Sequence, residues 1–508
     1  MINNKTISRL LVACSLCCGV AAKSLSRLLV ACSLCCGVAA KSLSRLLAAC
    51  SLCCGVAAAL SSCNDFLDIK PYDRTVPETT EDFAALVHNL CNDIDNGSGV
   101  AGEAIGEYSE TVLLEADADN MATNLTGGTD RLRTYIGTDL SARQSLYGNL
   151  YELIGKCNII LDNYKDGSDT REGQDILGVA YALRGVAYYQ LLRMFCAPPL
   201  ADDAQLGVPI VTEFDMEARP LRSSMQETID QAERDLKAAL NLDIQNDMYR
   251  FNNDVLHGYL ARLYHWCGRW QEARREAQTV VRNHPLLAGD DYVKMMSTQF
   301  GINGNQLLVG NRLPEYQVAI ATAYEYLTER PLSADFVNLF VEGTNDIRRK
   351  NNLFFNRKRK NRKLMFSGMR SAEMALIAME CAYHLDRQDS ALAELNDFRR
   401  HRILTADYAY TIETLPAVDN NTLVKQDATG RPLTPLIQAI LRERRKELYL
   451  ENGDRWFELK RHGRPEWWVA VNGQKLWTRK YMFTWPIKLD DTRLQPGLIQ
   501  NPGYEETY

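Results

Sequence analysis

Two polar segments of the sequence combine tyrosines with side chains that donate and accept hydrogen bonds. The first runs from Asp117 to Tyr135 and the second from Asn311 to Tyr326. Sugar rings present apolar C–H faces edged by hydroxyls, so a sugar site needs aromatic rings beside Asn, Asp and Arg side chains. The sequence therefore predicts ligand contacts in these two loops. The candidates are Asp119, Asn120, Asn124, Arg131 and Tyr135 in the first loop, and Arg312, Tyr316, Tyr324 and Tyr326 in the second.

Motifs for catalysis are absent from the sequence. The seven histidines have no HExxH or similar metal-binding spacing, and there is no GxSxG elbow, P-loop or dinucleotide fingerprint. Asp117 and Asp119 could serve as the carboxylate pair of a glycosidase, but any acidic loop supplies such a pair. We therefore expect a binding protein without a cofactor or metal and keep a surface glycosidase only as an alternative.

A basic stretch between Arg348 and Lys363 flanks two apolar runs, Leu353 to Phe355 and Leu364 to Phe366. A hairpin with a solvated turn explains this pattern most simply. The functional alternative is attraction to anionic lipopolysaccharide or to an acidic partner surface.

Charge and cysteine content divide the 508-residue chain near residue 62. The net charge is -6, but all six ionisable residues before Ser62 are basic, so the remainder carries -12. A surface this acidic argues against a nucleic-acid-binding protein, which needs a basic footprint. Of the 15 cysteines, only five scattered ones follow Cys63, and these predict neither a disulfide framework nor a metal site.

The first 62 residues contain three copies of one leader. SRLLVACSLCCGVAAKSL begins at Ser8 and Ser26, and a related copy begins at Ser44. Each apolar run is shorter than the roughly 20 residues of a membrane-spanning helix, so residues 1–62 are predicted to be a cleaved signal peptide. The triplication looks like duplication of one leader. Because this segment is predicted to be cleaved off, its CxxCC repeats are not expected to form a metal site.

Several cysteines fit a lipobox, and Cys63 fits it best. The sequence before Cys14, Cys32 and Cys50 has the required small residues, but only Cys63 is followed by polar, acidic chain. Cys63 is therefore the predicted lipidation site, and residues 63–80 are the predicted tether. Several acyl chains on one cysteine give stable membrane anchoring.

The rest of the chain, residues 81–508, reads as one mainly α-helical domain with minor β hairpins. Ala261, Gly268, Trp270 and Ala277 have the spacing of a tetratricopeptide repeat, which predicts a helical-repeat scaffold. Asn92–Gly106 and Leu287–Pro331 read as irregular loops. The main predicted helices are Gln144–Tyr164, Asp175–Phe195, Ser224–Leu240, Asp254–Cys267, Arg269–Asn283, Ser371–Leu385 and Gln388–His401.

An amphipathic helix is predicted from Leu436 onward, ended by Asn452 and Gly453. Arg444 lies on its apolar face. A guanidinium there requires carboxylate partners, which Glu447, Glu451 or another helix could supply. A structural ion-pair network is the simpler interpretation, and a catalytic role is the alternative.

This region resembles the signature helix of the SusD/RagB family of surface nutrient-binding lipoproteins. Tyr147 departs from the family pattern, where Trp is usual, and Cys196 stands where Gly is usual. The matching residues are Glu443-Arg444-Arg445, Glu447-Leu448, Glu451, Gly453, Arg455-Trp456 and Leu459-Lys460-Arg461, with further matches at Cys63–Asp68, Tyr151–Ile154, Asn158, Ala182–Gly185, Phe195, Pro198–Leu200, Leu395-Asn396, Arg399-Arg400, Pro486-Ile487 and Gln500–Tyr504.

The resemblance implies a lipid-anchored protein on the extracellular face of the outer membrane. Such a protein would bind oligosaccharides and deliver them to a SusC-type TonB-dependent transporter. The alternative cargo is oligopeptides, as the RagB branch suggests. The resemblance also places ligand contacts roughly in the two loops described above.

Overall fold

The computed structural model describes residues 77–504 except 107, 123–134, 139, 141–142, 205, 216, 299–301, 311–331, 357, 407 and 472. Helix α1 spans Thr80–Asn96 and begins with a capping box, in which Thr79 and Asp82 each bond the other's backbone N–H. The compact unit that contains α1 begins at Pro77.

Helix α2 corrects the predicted loop over Asn92–Gly106. It spans Gly99–Gly106, and α1 itself continues to Asn96. Val100, Ala101, Ala104 and Ile105 are buried in the main core. Burial of these small apolar residues outweighs the low helix propensity of the glycines around them.

Fourteen further helices follow in the described part of the chain. Their bounds are Tyr108–Asp117 (α3), Gln144–Asn163 (α4), Arg171–Phe195 (α5), Met225–Leu242 (α6), Asn253–Trp266 (α7), Trp270–Asn283 (α8), Gly289–Ser297 (α9), Ala334–Asn338 (α10), Ile347–Asn352 (α11), Ser371–His384 (α12), Gln388–Arg400 (α13), Pro435–Leu448 (α14), Asp454–Arg461 (α15) and Leu489–Leu494 (α16).

Helix pairs build the scaffold. Helices α5 and α6, α7 and α8, and α12 and α13 pack as consecutive pairs, and α8 packs on α12 to join the last two pairs. Ala261, Ala273 and Ala277 are fully buried between the helices. Gly268 turns α7 into α8 with φ +73°, and a Cβ there would lie 2.7 Å from Cδ1 of Leu200. The predicted mainly α, tetratricopeptide-like fold is confirmed.

Four small antiparallel sheets, each of two strands, complete the described part. They pair Leu206–Pro209 (β1) with Arg222–Ser224 (β2), Gln306–Val309 (β3) with Gly368–Arg370 (β6), Leu353–Asn356 (β4) with Lys358–Asn361 (β5), and Trp467–Val471 (β7) with Gln474–Thr478 (β8). The β4–β5 pair is the predicted basic hairpin, with Phe355 opposite Arg359.

Regular structure within Leu287–Pro331 is a second correction. Helix α9 and strand β3 lie in this predicted irregular segment. Tyr292 and Met295 of α9 are buried with Ile347, so tertiary packing supplies the stability that the local sequence does not indicate.

Helix α14 ends at Leu448, four residues before Asn452. Leu450, Asn452 and Gly453 all have positive φ and form the turn into α15. The five cysteines of the described chain are free, as their scattered positions predict. No described helix combines the length and apolar character needed to cross a membrane.

Candidate functional site

The structure joins the ends of the two predicted ligand-binding loops. Met121, near the start of the first loop, forms an antiparallel bridge with Leu332, which follows the second. The backbone N–H of Ser333 donates to the carbonyl of Asn120 at 2.8 Å, and the Ser333 hydroxyl donates to the carbonyl of Asp119 at 2.9 Å. We call Asp119–Met121 and Leu332–Ser333 the loop stems. Because the stems pair, the start of the first loop lies beside the segment that follows the second loop.

Asp119 is held in the first stem by two arginines. Arg455 donates to both carboxylate oxygens at 2.5 and 2.8 Å, and Arg445 lies 3.2 Å from Oδ2. Burial by itself raises the pKa of Asp119, but the charges of Arg445 and Arg455 outweigh it and hold the pKa below its ordinary value. The carboxylate is therefore ionised and fixes the stem to α14 and α15.

Asn120 is fully buried beside it. Its amide donates to Oε1 of Glu115 at 2.7 Å, and its side-chain oxygen accepts from Nε of Arg445 at 2.7 Å. These contacts leave no Asn120 surface for a ligand in this structure. The network gives Asp119 and Asn120 a structural role that the sequence analysis did not predict.

Tyr135 lies at the far end of the first loop and is half-buried. Its ring folds back over Gly137, where a Cβ would lie 2.5 Å from the ring. Burial raises the pKa of Tyr135, Tyr481 adds to this effect and the charge of Arg479 opposes it. The remaining predicted contacts lie outside the described residues, namely Asn124, Arg131, Arg312, Tyr316, Tyr324 and Tyr326.

A cleft of about 240 Å³ opens beside the loop stems. Its wall includes α10, which begins directly after the second stem, and the part of α14 from Ala439 to Lys446. Typical ligand pockets enclose roughly 300–1,000 Å³, so this cleft accommodates one part of an oligomeric ligand, not all of it. Residues that line it include Asp119, Asp335, Asn338, Tyr410, Asp419 and Arg442.

Polar groups with incomplete pairing face this cleft. Arg442 lies 3.7 Å from Asp419, and the two side chains are 25% and 43% exposed. This separation is too long for a hydrogen bond, and exposed pairs of this kind are weak. Nε of Arg442 is buried without a hydrogen-bond partner in the described part of the chain. A ligand oxygen could therefore engage Arg442 without breaking a strong contact.

A buried ionic network holds helix α14 in place. Glu447 accepts from Arg370 at 2.7 Å and from Arg402 at 2.8 and 2.9 Å. Arg370 also donates to Glu451, and Arg348 bridges Glu443 and Glu447. Burial raises the pKa of Glu447, but Arg402 and Arg370 lower it more and keep it well below its usual range. Glu447 is therefore ionised, and its pairs with Arg370 and Arg402 fix the helix.

Arg444 finds its partners on α15. Its guanidinium contacts Asp454 and lies 3.2 Å from Oε1 of Glu458. Of the partners the sequence allowed, the acidic residues of another helix are confirmed, whereas Glu447 and Glu451 pair elsewhere. The structural ion-pair interpretation of this face is confirmed by these contacts.

The C-terminal tryptophans divide into packed and exposed sets. Trp456 and Trp485 are fully buried. Trp468 and Trp477 are 39% and 40% exposed on the β7–β8 hairpin. The alternation Trp467-Trp468 at adjacent strand positions signals one inward and one outward ring, since neighbouring strand residues face opposite sides. The described residues contain no group of three or more His, Cys, Asp or Glu placed to bind a metal ion.

These features define a scaffold of helical repeats with paired loop stems beside a polar cleft. The sequence pattern of the SusD-like family described as "Starch-binding associating with outer membrane" matches residues 65–265, and that of the SusD family matches residues 347–504. The chain belongs to the SusD/RagB family. Members of this family are binding proteins, and the first description associates them with the outer membrane.

Solved structures agree with this fold. A SusD superfamily protein from Bacteroides thetaiotaomicron is 20% identical, with a TM-score of 0.65 over 84% of this chain and 100% of that chain. A putative sugar binding protein from Bacteroides vulgatus is 20% identical, with a TM-score of 0.62 over 85% and 100%. A SusD-like carbohydrate binding protein from the same species is 19% identical, with a TM-score of 0.61 over 83% and 98%. No curated protein matches the sequence.

Proposed function

We propose that this protein binds an oligosaccharide with its two polar loops and delivers it to a SusC-type TonB-dependent transporter. The pairing of the loop stems carries this proposal. It joins Asp119–Met121, at the start of the first loop, to Leu332–Ser333, which follow the second, beside the cleft. In this proposal, the polar and aromatic residues of both loops act on one ligand. The family description and the sugar-binding relatives support a carbohydrate as cargo.

The cleft would receive one part of the glycan. The guanidinium of Arg442, whose side chain is 25% exposed, offers N–H donors, and Asp419 offers carboxylate oxygens for sugar hydroxyls. Tyr135 and Tyr316, one from each loop, would contact the rest of the glycan. No bond is made or broken in this role, so we propose binding and delivery with no catalytic step.

Oligopeptide cargo is the second candidate, and the mixed charges of the same cleft favour it. Arg442 matches a peptide carboxylate, and Asp335 and Asp419 match an amino group. Distinguishing the two requires binding data, because neither cargo undergoes reaction.

Calorimetry of residues 64–508 tests the site. We expect Tyr135→Ala, Tyr316→Ala and Arg442→Ala each to weaken the binding of a recognised oligosaccharide about tenfold or more. Arg400→Ala is the matched control for Arg442→Ala, because Arg400 is exposed on α13 and pairs there with the exposed Asp397. Unchanged affinity in all three site variants would overturn the loop-and-cleft site.

Lipid anchoring through Cys63 places the protein at the outer membrane in this proposal. Cells given labelled palmitate should incorporate it into the wild-type chain and not into Cys63→Ala. Protease added to intact cells should degrade the wild-type protein at the surface. Labelled Cys63→Ala would move the anchor to another cysteine, and protection from protease would contradict the extracellular location.

A further inference from the structure

The outward face of the β7–β8 hairpin carries two tryptophans side by side. Trp468 and Trp477 are directly opposite each other in the antiparallel register. Opposed residues of such a pair project from the same face, with Cβ atoms about 4.5–5.5 Å apart. Both rings are about 40% exposed, whereas Trp456 and Trp485 are fully buried. The hairpin thus presents a two-ring aromatic surface to solvent.

The inward face of the same hairpin is firmly packed. Trp467 lies 6.4 Å from Trp456 and 5.9 Å from Phe483 between ring centroids. Val469 and Thr478, which alternate with the outward residues, are each 1% exposed. The two exposed rings therefore sit on a rigid base, and binding at them requires little ordering of the backbone.

Cations stand over these rings. Nζ of Lys475 lies 4.7 Å from the Trp468 ring centroid and 5.4 Å from that of Trp477. The guanidinium of Arg479 lies 5.2 Å from the Trp477 ring. Arg479 also pairs with Glu466, with Nη1 lying 3.4 Å from Oε2, and both of these side chains are about half-exposed.

Local charge sets this hairpin apart from the rest of the protein. Residues 464–480 contain four basic residues and one acidic residue, in a chain whose net charge is -6. Arg464 is already paired with Asp203, which leaves Lys475, Arg479 and Lys480 to set the potential near the rings. Arg479 also acts electrostatically on Tyr135, the residue that closes the first ligand-binding loop.

We propose that the outward face of β7–β8 is a second glycan-binding surface, selective for acidic oligosaccharides that carry carboxylate or sulfate groups. Trp468 and Trp477 would stack on the C–H faces of sugar rings, and Lys475 and Arg479 would pair with the anionic groups. The inference rests on the proposed carbohydrate function and adds a charge preference to it.

A glycan fits this face better than a protein surface does. An apolar protein patch over the rings would have to bury the two cations without partners, which is unfavourable. An acidic sugar chain covers the rings and neutralises the cations together. Neutral sugars would gain the stacking contact alone, so we expect weaker binding for them.

Titration of the full-length protein in detergent tests this surface. The ligands are hexagalacturonate for carboxylate, a chondroitin sulfate hexasaccharide for sulfate, and maltohexaose as the uncharged hexamer. We expect at least one acidic hexamer to bind tenfold or more tightly than maltohexaose, and its affinity to fall as salt rises. Quenching of tryptophan fluorescence should accompany this binding.

Variants locate the binding. Trp468→Ala with Trp477→Ala should weaken acidic hexamer binding tenfold or more, and Lys475→Ala should weaken it while leaving maltohexaose unchanged. Phe214→Ala is the matched control, because Phe214 is another exposed aromatic, 49% accessible, in the loop between β1 and β2. Circular dichroism and thermal melting confirm that each variant is folded.

Each contrary outcome is distinguishable. Glycan binding that the tryptophan variants leave intact would overturn the second surface while the proposed function stands. Equal losses for acidic and neutral hexamers would overturn the charge preference. Dimerisation that requires Trp468 and Trp477 would assign the face to a second copy instead. Failure of the wild-type protein to bind any glycan would count against the proposed function itself.

Discussion

Replacing Asp119 with asparagine tests whether buried ion pairs hold the first loop stem in place. Asp119 is 15% exposed in its side chain, and its partners Arg445 and Arg455 are 7% and 8% exposed. Asparagine has the same shape and keeps one acceptor oxygen but loses the charge. Two buried guanidiniums would then lose the carboxylate that they share, although Arg445 keeps its hydrogen bond to Asn120.

The structure sets the expected size of this effect. Removing one partner of a buried ion pair costs about 3–5 kcal/mol, because the remaining charge stays desolvated. The retained acceptor and the residual exposure of Asp119 place Asp119→Asn near the lower end, at about 3 kcal/mol. The ordinary aspartate pKa is about 3.9. Since folding lowers the pKa of Asp119, its stabilising effect is complete above that value and is lost as pH falls toward the folded-state pKa.

Urea unfolding at several pH values measures this loss. The difference between wild type and Asp119→Asn should be constant from about pH 7 to pH 5 and shrink only below about pH 4. Glu152→Gln is the control, because Glu152 pairs with Lys156 at 3.0 Å with both side chains exposed. Such a pair contributes about 0–1 kcal/mol. A loss at Asp119 no larger than that at Glu152 would refute the anchoring role of the stem.

Three further predictions concern the scaffold. Gly268→Ala should destabilise the protein by about 1 kcal/mol or more in urea unfolding, because φ +73° and the contact with Leu200 both oppose a Cβ. A thiol reagent should label Cys157 only after unfolding, because it is fully buried and burial raises its pKa to about 12. Burial lowers the pKa of His265 to about 4, so folding stability should fall as pH drops from about 6.5, and His265→Gln should lose less stability over that range. An unchanged free energy for Gly268→Ala, rapid native labelling, or identical pH profiles would contradict these three predictions in turn.

Much of the scaffold could be predicted from sequence because its helices follow a strong period. The spacing of Ala261, Gly268 and Ala277 predicts a helix pair, and the structure confirms it. Helices α2 and α9 could not be predicted in this way. Their stability comes from burial of Val100, Ile105 or Tyr292 against distant elements, and local sequence does not reveal such packing.

The candidate site was likewise predictable only in part. Composition identified the two loops as polar and aromatic, but it could not show that their stems meet, since Met121 and Leu332 are 211 positions apart in sequence. Nor could it show that Asp119 and Asn120 serve as anchors, because their partners Arg445 and Arg455 come from the far end of the chain. The sequence also does not distinguish the exposed Trp468 and Trp477 from the buried Trp456. Their exposure follows from the strand pairing of the β7–β8 hairpin, which places both rings on its outward face.

Calorimetric titration of residues 64–508 against matched panels of oligosaccharides and oligopeptides tests the proposed function most directly. The account predicts saturable heat with at least one oligosaccharide, weakened by Tyr135→Ala and Arg442→Ala and unaffected by Arg400→Ala. Saturable heat with oligopeptides alone would contradict the assignment of cargo. Oligosaccharide binding that neither Tyr135→Ala nor Arg442→Ala weakens would contradict the placement of the site at the loop stems and the cleft.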